Sequence, residues 1–485
     1  MQQSRPRMWL SLFESEGGSG LALREQVCAA LRRAMRSGAL SLGERLPSTR
    51  VLARDLSLSR VTVEAAYGQL AIEGYLRRNV GKGSFVAIDL GAGAQSPIAP
   101  PHRSPGATTP FSQRGRRLLE TGGCMEPMRL QAFAAGSPDL RAFPVALWRR
   151  VLNRRLRLDA EQLMRYGDPQ GRPDLRAAIS GYLAHSRGVR CHPGQVLVLT
   201  SSQQCLQLLA QMLLDDGDVV WMEDPGYGGA RVVFAAAGAR VVNLPVDAEG
   251  ARHDDTMPTP RLIYLTPAHQ FPTGQTLSLA RRRQLIAYAR RTGAYLVEDD
   301  YDSEFQYDGR AMPALQSLDE EGRVIYIGSF SKTLFPSLRL AYTVLPEDMV
   351  QPLLVARSAF DGHSSQLMQA VTADFIAQGH FAAHLRLMRQ LYRSRRDCLL
   401  DALHTNLPWA QPLHSAGGLQ LSVRLPEGSE ADLTRRAARL GIATPSLSAL
   451  HHEAAKVDGW RLGFAALRPE DITAAIKSLA TLRQL

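Results

Sequence analysis

The chain has 485 residues, of which 45% are hydrophobic and 21% charged; this is the composition of a globular protein and too long for one ordinary core, so two or three domains are expected. No apolar run approaches the ~18 residues of a membrane span. Five scattered cysteines (Cys28, Cys124, Cys191, Cys205, Cys398), with no C-x-x-C pair, argue against a disulfide framework or a metal site and read as buried small hydrophobes. The net charge is +11, and residues 1–87 hold 13 Lys/Arg against 7 Asp/Glu; a local basic excess of this kind points to a polyanion, with nucleic acid ahead of a membrane surface. The stretch Met1 to Leu12 has no small-residue cleavage site, so a cytoplasmic protein is expected.

In chain order, Leu23, Val27, Leu31 and Met35 recur at helical spacing up to Ser37-Gly38. Pro47-Ser48 opens a short helix carrying Val51, Leu52 and Leu56. After the tight turn Ser57-Leu58-Ser59, with Ser59 as cap, a third helix turns Val63, Ala66, Tyr67 and Leu70 inward and stops at Glu73-Gly74. Two helices about three residues apart fit helix-turn-helix geometry. Two strands follow, Tyr75-Leu76 and Ser84-Phe85-Val86-Ala87, around the basic turn Arg77-Arg78-Asn79-Val80-Gly81-Lys82-Gly83, which makes a wing. Residues 20–87 are thus one domain.

From 88 to 127 the composition shifts to Gly, Ala, Ser and Pro with little apolar periodicity, which reads as a flexible linker with a span of roughly 35 Å, enough to carry the small domain onto a neighbouring subunit. Residues 128–485 alternate apolar strands (Val196–Leu199, Val219–Met222, Leu262–Leu265, Tyr295–Val297) with amphipathic helices. This is the pattern of an α/β fold on a mostly parallel sheet, whose ligand site lies at the carboxyl ends of the strands. Polar clusters fall at those ends. Thr200-Ser201-Ser202-Gln203-Gln204 opens a helix and suits a phosphate, although an ordinary N-cap has the same letters. Glu223-Asp224-Pro225-Gly226-Tyr227 offers an aromatic face for stacking. His269, in Thr266-Pro267-Ala268-His269-Gln270-Phe271-Pro272-Thr273-Gly274, reads as structural. Glu298-Asp299-Asp300-Tyr301 supplies a carboxylate able to keep a pyridine nitrogen protonated, with a phenol beside it for the ring oxygen.

The strand Val324-Ile325-Tyr326-Ile327-Gly328 leads into Ser329-Phe330-Ser331-Lys332, with Arg339 seven residues past the lysine. Only four of the 57 basic residues are lysines (Lys82, Lys332, Lys456, Lys477), so a lysine here suggests chemistry that arginine cannot perform, namely condensation with an aldehyde. Pyridoxal 5'-phosphate is the obvious aldehyde; Ser329, Ser331 and Arg339 could hold its phosphate. Taken alone, Ser-x-Ser-Lys is also what a surface lysine beside a serine-rich loop looks like. Near the end, Arg461 in Gly459-Trp460-Arg461-Leu462-Gly463-Phe464 is flanked by apolar residues and wants a carboxylate, from the protein or from a ligand.

The words Leu46-Pro47-Ser48-Thr49-Arg50-Val51-Leu52-Ala53, Ser59-Arg60-Val61-Thr62-Val63 and Gly81-Lys82-Gly83-Ser84-Phe85-Val86 resemble the winged helix of the GntR regulators. The resemblance implies that Arg50, Arg60 and Thr62 face double-stranded operator DNA, with Ser48 and Ser59 near phosphates and Lys82 at the wing. Residues 130–485, including Tyr166-Gly167-Asp168-Pro169-Gln170-Gly171, resemble the fold type I aminotransferases. That implies an aldimine on Lys332, Asp299 on the pyridine nitrogen, Arg339 on the phosphate, Tyr166 reaching the site across a homodimer, and Arg461 on an α-carboxylate. Two departures stand out: Phe271 replaces the asparagine that would touch the ring oxygen, and Ser202 stands where glycine is common. The combination resembles the MocR/GabR subfamily, and implies a regulator that senses a small amino-containing effector, or the cofactor itself, through Lys332. A working aminotransferase carrying a DNA-binding domain is the alternative.

Overall fold

The structure is a computed structural model and describes residues 9–10, 13, 21–79, 81–88, 111–123, 131–309, 312–414, 416–452 and 457–483. Residues 1–8, Val80 of the expected wing, 89–110 and 124–127 of the expected linker, Cys124 and Lys456 lie outside these. The chain divides into two compact units, Met1–Thr109 and Pro110–Leu485.

In the first unit, α1 (Leu23–Arg36), α2 (Thr49–Asp55) and α3 (Arg60–Ile72) precede a hairpin of β1 (Leu76–Asn79) and β2 (Gly83–Val86), with Leu76 opposite Val86. Ser48 and Ser59 cap α2 and α3, as their hydroxyls accept from Val51 N at 3.3 Å and Thr62 N at 3.1 Å. Val27, Leu31, Met35, Leu52, Val63, Tyr67 and Leu70 form the core, closed by Leu76, Val86 and Trp9. Two expected core positions face out: Leu23 and Val51, each in the first turn of its helix, are exposed.

The second unit begins earlier than the expected linker end. Within the stretch read as flexible, Gln113–Glu120 forms a helix, α4. Ser112 caps it, and Arg117 donates to both oxygens of Asp216 at 2.5 and 2.8 Å. Gly238 leaves room for this pair; a Cβ there would meet Asp216 Oδ1 at 1.8 Å. The local pattern of Gly, Ser and Pro hid a short helix whose order comes from a partner about a hundred residues away. The cysteine expectation is also corrected in part: Cys28 and Cys205 are buried, whereas Cys191 and Cys398 are only half-buried.

The main sheet has strand order β3-β10-β9-β8-β7-β4-β5-β6, comprising β3 (Val196–Leu199), β4 (Val219–Asp224), β5 (Arg240–Asp247), β6 (Gly250–Ala251), β7 (Leu262–Leu265), β8 (Tyr295–Asp300), β9 (Val324–Ser329) and β10 (Ala341–Val344). From β9 to β5 every pairing is parallel, while β10 runs antiparallel to both neighbours and β6 to β5. The parallel strands are covered on both faces, as their near-continuous apolar sequences demand. After α5 (Val145–Leu163) and α6 (Pro173–Arg187), one cover includes α7 (Ser202–Leu213) and α8 (Gly228–Ala236); the other includes α9 (Leu279–Thr292). A three-stranded antiparallel sheet, β11 (Gln411–Pro412), β12 (Gln420–Arg424) and β13 (Gly459–Gly463), completes the unit.

The exposed Arg117–Asp216 pair should contribute to local docking rather than global stability. Arg117→Ala is therefore expected to leave the unfolding temperature unchanged while tryptic cleavage at Arg114 and Arg116 becomes faster, as read by mass spectrometry of a digestion time course.

Candidate functional site

Register decides which strand ends meet. Ala341, at the start of β10, is opposite both Leu199, at the end of β3, and Ser329, at the end of β9. The segments carrying Ser201, Ser329 and Arg339 are thereby drawn to one edge of the sheet. Ser201 Oγ accepts from Gln204 N at 3.1 Å and Ser329 Oγ accepts from Ser331 N at 3.1 Å. A hydroxyl that caps through its oxygen still has its proton to donate. Ser202 and Gln203 open α7, where backbone N–H groups lack intrahelical acceptors. The Gln203 side chain is engaged in holding an aromatic: Nε2 donates to Gly229 O at 2.8 Å, and Tyr227 Oη donates to Oε1 at 3.4 Å. Arg339 is exposed and left-handed (φ 52°), which turns the chain sharply into β10.

Lys332 follows β9 on a single helical turn, α10 (Phe330–Thr333), and is half-buried. Its Nζ donates to Gly136 O at 2.7 Å. Gly136 has φ +74°, and a Cβ there would stand 3.1 Å from Nζ. β8 lies beside β9 in parallel, so Asp299 and Tyr301 reach the same end of the sheet.

Asp299 is 4% exposed. Oδ2 accepts from Tyr264 Oη at 2.7 Å, while Oδ1 has no hydrogen-bond partner among the described residues. Burial, opposed by the Tyr264 bond and reinforced by Asp300 and Asp302, pushes its pKa up to about 7. Glu223 behind it is likewise raised to about 7 by burial, although Thr266 donates to it through N and Oγ1.

Phe271 is the hub of an aromatic cluster. Tyr227 meets it edge-on at 5.7 Å, Tyr301 at 6.1 Å, and the Arg461 guanidinium lies 5.3 Å from its ring centre. Arg461 comes from β13, so the small sheet contributes to the same place as the main one. Tyr301 Oη is 3.2 Å from His269 Nδ1, and that nitrogen is 3.1 Å from Asp302 Oδ1. Tyr166 stands apart, at 98% exposure, with His363 as its aromatic neighbour at 6.0 Å.

In the first unit Arg50, Arg60 and Lys82 are exposed, and Thr62 Oγ1 lies 2.8 Å from the capping Ser59 hydroxyl. Arg45, Ser48, Arg60, Glu64, Arg78 and Ser84 line a concave patch between α2, α3 and the wing, with Glu64 ion-paired to Arg78. Tyr67 Oη donates to Pro47 O at 2.9 Å and fixes the start of α2 from the core.

Sequence reasoning missed Tyr264, the Gly136 carbonyl and the His269–Asp302 pair. Tyr264 had a visible signal: a phenol in an otherwise aliphatic buried strand must find a partner. Gly136 had none, since its position opposite Lys332 comes from chain almost 200 residues away.

Residues 132–479 match the aminotransferase class I and II family, and residues 23–86 match the bacterial regulatory proteins of the gntR family. The chain is 40% identical to the probable rhizopine catabolism regulatory protein MocR of Rhizobium meliloti, over 94% of this chain and 93% of that protein. Among solved structures, the multiple substrate aminotransferase of Thermococcus profundus superposes with a TM-score of 0.70 at 26% identity, over 77% of this chain and 97% of its own. The α-aminoadipate aminotransferase LysN of Thermus thermophilus, solved with N-(5'-phosphopyridoxyl)-L-leucine, superposes with a TM-score of 0.67 at 30% identity, over 77% and 95%.

The raised pKa of Asp299 has a stability consequence. An unfolded aspartate loses its proton near pH 4, whereas the folded one keeps it to about 7, so stability falls as pH rises between these values. Asp299→Asn keeps an acceptor for Tyr264 and never ionises. The cofactor-free variant should melt a few degrees above the wild type at pH 8, with a smaller gain at pH 5, by differential scanning fluorimetry.

Proposed function

The chain belongs to the MocR/GabR-type regulators, a GntR winged helix joined to an aminotransferase class I and II domain, and on that footing we propose that it carries pyridoxal 5'-phosphate on Lys332 and responds there to a small amino-containing effector. It is a transcriptional regulator with a DNA-binding helix-turn-helix and an aminotransferase-like sensor domain. No helix among its described residues is long and apolar enough to cross a membrane.

The observation that carries the cofactor reading is Asp299. A buried carboxylate with one oxygen satisfied and the other unpartnered, at the end of the strand next to the one that leads to Lys332, suits a cationic N–H donor such as a protonated pyridine. The other residues match the remaining parts of the molecule. The Ser201 and Ser329 hydroxyls, Ser331, the α7 amino terminus at Ser202 and Gln203, and Arg339 suit the phosphate. Tyr227 suits the ring face and Tyr301 the ring oxygen. When bound, the cofactor supplies an aldehyde that exchanges one amine for another and an electron-withdrawing ring. Lys332 supplies the resident amine, with Gly136 O receiving its Nζ when it is not engaged. Tyr166, fully exposed in one chain, fits a role in a homodimer, contributed to the neighbour's site. Arg461 would receive a carboxylate by leaving the face of Phe271. LysN was solved with an amino acid joined to the phosphopyridoxyl group, and the same class of effector suits Arg461 and Lys332.

On the DNA, Ser48 and Ser59 at helix starts suit phosphates, and Arg50, Arg60, Thr62 and Lys82 suit phosphate or base edges. An effector changes operator affinity only in proportion to its differential affinity for the two states.

The test is an absorption spectrum of the purified, cofactor-loaded chain and of Lys332→Ala, with a panel of amino acids added and binding to a selected operator fragment followed in parallel. We expect a visible band that requires Lys332, shifts with one class of amine and moves with operator affinity. Sustained amino transfer to a 2-oxo acid would instead make this a working aminotransferase. A response to cofactor alone would make the cofactor itself the signal.

Arg461→Ala should weaken the spectral response to amino acids by about 10- to 100-fold in half-saturating concentration, the scale of a lost charge-assisted pair. The response to simple amines lacking a carboxylate should be unchanged, as measured by titration of the same band.

A further inference from the structure

His269 is buried at 7% exposure and Asp302 at 2%. The imidazole Nδ1 lies 3.1 and 3.3 Å from the two Asp302 oxygens and 3.2 Å from Tyr301 Oη. Because Asp302 can only accept, the proton belongs on Nδ1, and Tyr301 Oη sits as the second acceptor of that N–H. The phenol's own proton is then free to point elsewhere.

The ring has little freedom to move. A Cβ on Gly418 (φ +85°) would lie 2.1 Å from His269 Cε1, and one on Gly274 (φ +82°) would lie 3.1 Å from Nε2. Two left-handed glycines thus make the slot that the imidazole fills, and Tyr301 stands tilted against it with ring centres 6.1 Å apart. A slot of this shape could be filled by an apolar ring at lower cost, since a buried His–Asp pair gains little stability over a hydrophobic one. A role beyond filling is indicated.

We propose that His269, held by Asp302, is a positioning residue for Tyr301: its Nδ1–H occupies a lone pair of the phenol oxygen, so that Tyr301 donates its proton to the ring oxygen of the cofactor. This rests on the reading that Lys332 carries pyridoxal 5'-phosphate. It fills the task left open by Phe271, which has no hydrogen-bonding group to offer that oxygen.

The groups facing His269 are Asp302, Asp300 and Tyr301 from the end of β8 and its turn, and His414 from the segment before β12. Burial disfavours the imidazolium, but Asp302 and, after it, Asp300 outweigh burial, so its pKa lies above the ordinary value. The His414 pKa is lowered by burial and then by His269. A phenol that accepts from an N–H donor is polarised into a stronger donor itself. A strong donor to the ring oxygen stabilises negative charge there, and so lowers the proton affinity of the adjacent lysine–cofactor linkage.

The experiment is a pH titration of the visible band of the loaded full-length chain. His269→Phe should raise the midpoint by about one pH unit, the scale of a lost polar partner. Asp302→Asn should move it the same way by less, and His269→Gln, which keeps an N–H donor, should restore part of the shift. Tyr301→Phe should raise it at least as far as His269→Phe, and the His269→Phe/Tyr301→Phe double variant no further than Tyr301→Phe alone. An unmoved midpoint in folded His269→Phe, or shifts that add in the double variant, would overturn the inference. If His269→Phe fails to fold, the Asp302→Asn shift and its absence on a Tyr301→Phe background decide the matter in the same way. A wild-type chain without any Lys332-dependent band overturns the reading of Lys332 and this inference together, whereas a band with an unmoved midpoint overturns only this inference.

Discussion

A buried carboxylate at the end of β8 sets the terms for the rest of the large unit. Along this strand the side chains alternate between faces. Asp300 turns to one side and meets Arg187 Nε at 2.8 Å and Tyr326 Oη at 2.7 Å, and Glu298 on the same side accepts from Leu315 N and Gln316 N at 2.8 and 2.9 Å. Asp299 turns to the other side and has a phenol but no cation among the described residues. Leaving a carboxylate there is costly in isolation. Such a cost persists where a ligand relieves it, and the raised pKa of Asp299 expresses the same fact in protons. The lysine, Ser201, Ser329 and the aromatic hub all lie at strand ends of the same sheet as this carboxyl group.

Much of this was legible because the determinants are local. Strand ends, helix caps and the Lys332 segment are written in contiguous letters: Ser48, Ser59, Ser201 and Ser329 each cap the helix that their position announces. What sequence reasoning missed depends on contacts between distant segments. Tyr264 reaches Asp299 from the neighbouring strand, Gly136 reaches Lys332 from across the chain, and Asp302 takes a hydrogen bond from a turn histidine. The helix at Gln113–Glu120 was hidden for the same reason, since its anchoring carboxylate, Asp216, sits far downstream in the turn before β4. Phe271 is the instructive case. Its letter announced a loss relative to the usual asparagine, but its place among Tyr227, Tyr301 and Arg461 makes it a packing hub.

Phe271 also links the two sheets of the large unit. Its loop follows β7 of the main sheet, whereas Arg461 belongs to β13 of the small one, and Ser422 on β12 donates to Pro272 O at 2.7 Å. A carboxylate that drew the guanidinium off the ring would therefore change a contact between the sheets, as well as one within the site. Interactions of this size, a cation–π contact of about 0.5–2 kcal/mol exchanged for a charge-assisted pair of about 1.5–3 kcal/mol, fall in the range of coupling free energies that change affinity at a second site by roughly 5- to 150-fold. An amine without a carboxylate would leave this contact in place. The chemistry of the effector, and not its affinity alone, would then decide whether the winged helix is affected.

If Lys332 carries an aldehyde cofactor, the scarcity of lysine has a chemical consequence. A protein that carries a reactive aldehyde exposes every other amine it owns to the same condensation. Of 57 basic residues only four are lysines, and in the winged-helix unit the exposed Arg50 and Arg60 carry guanidinium groups that stay protonated and form no such adduct. Lys82 on the wing is exposed and keeps an amine, so it is the position where an adduct would remove charge from the winged-helix unit. Lys332 differs from it in its setting: it is half-buried, its Nζ is held by the Gly136 carbonyl, and it follows β9, the strand next to the one that carries Asp299. Those neighbours would favour a bound ring at one lysine over the others, so selectivity would arise from the setting of the amine and be sharpened by how few amines compete.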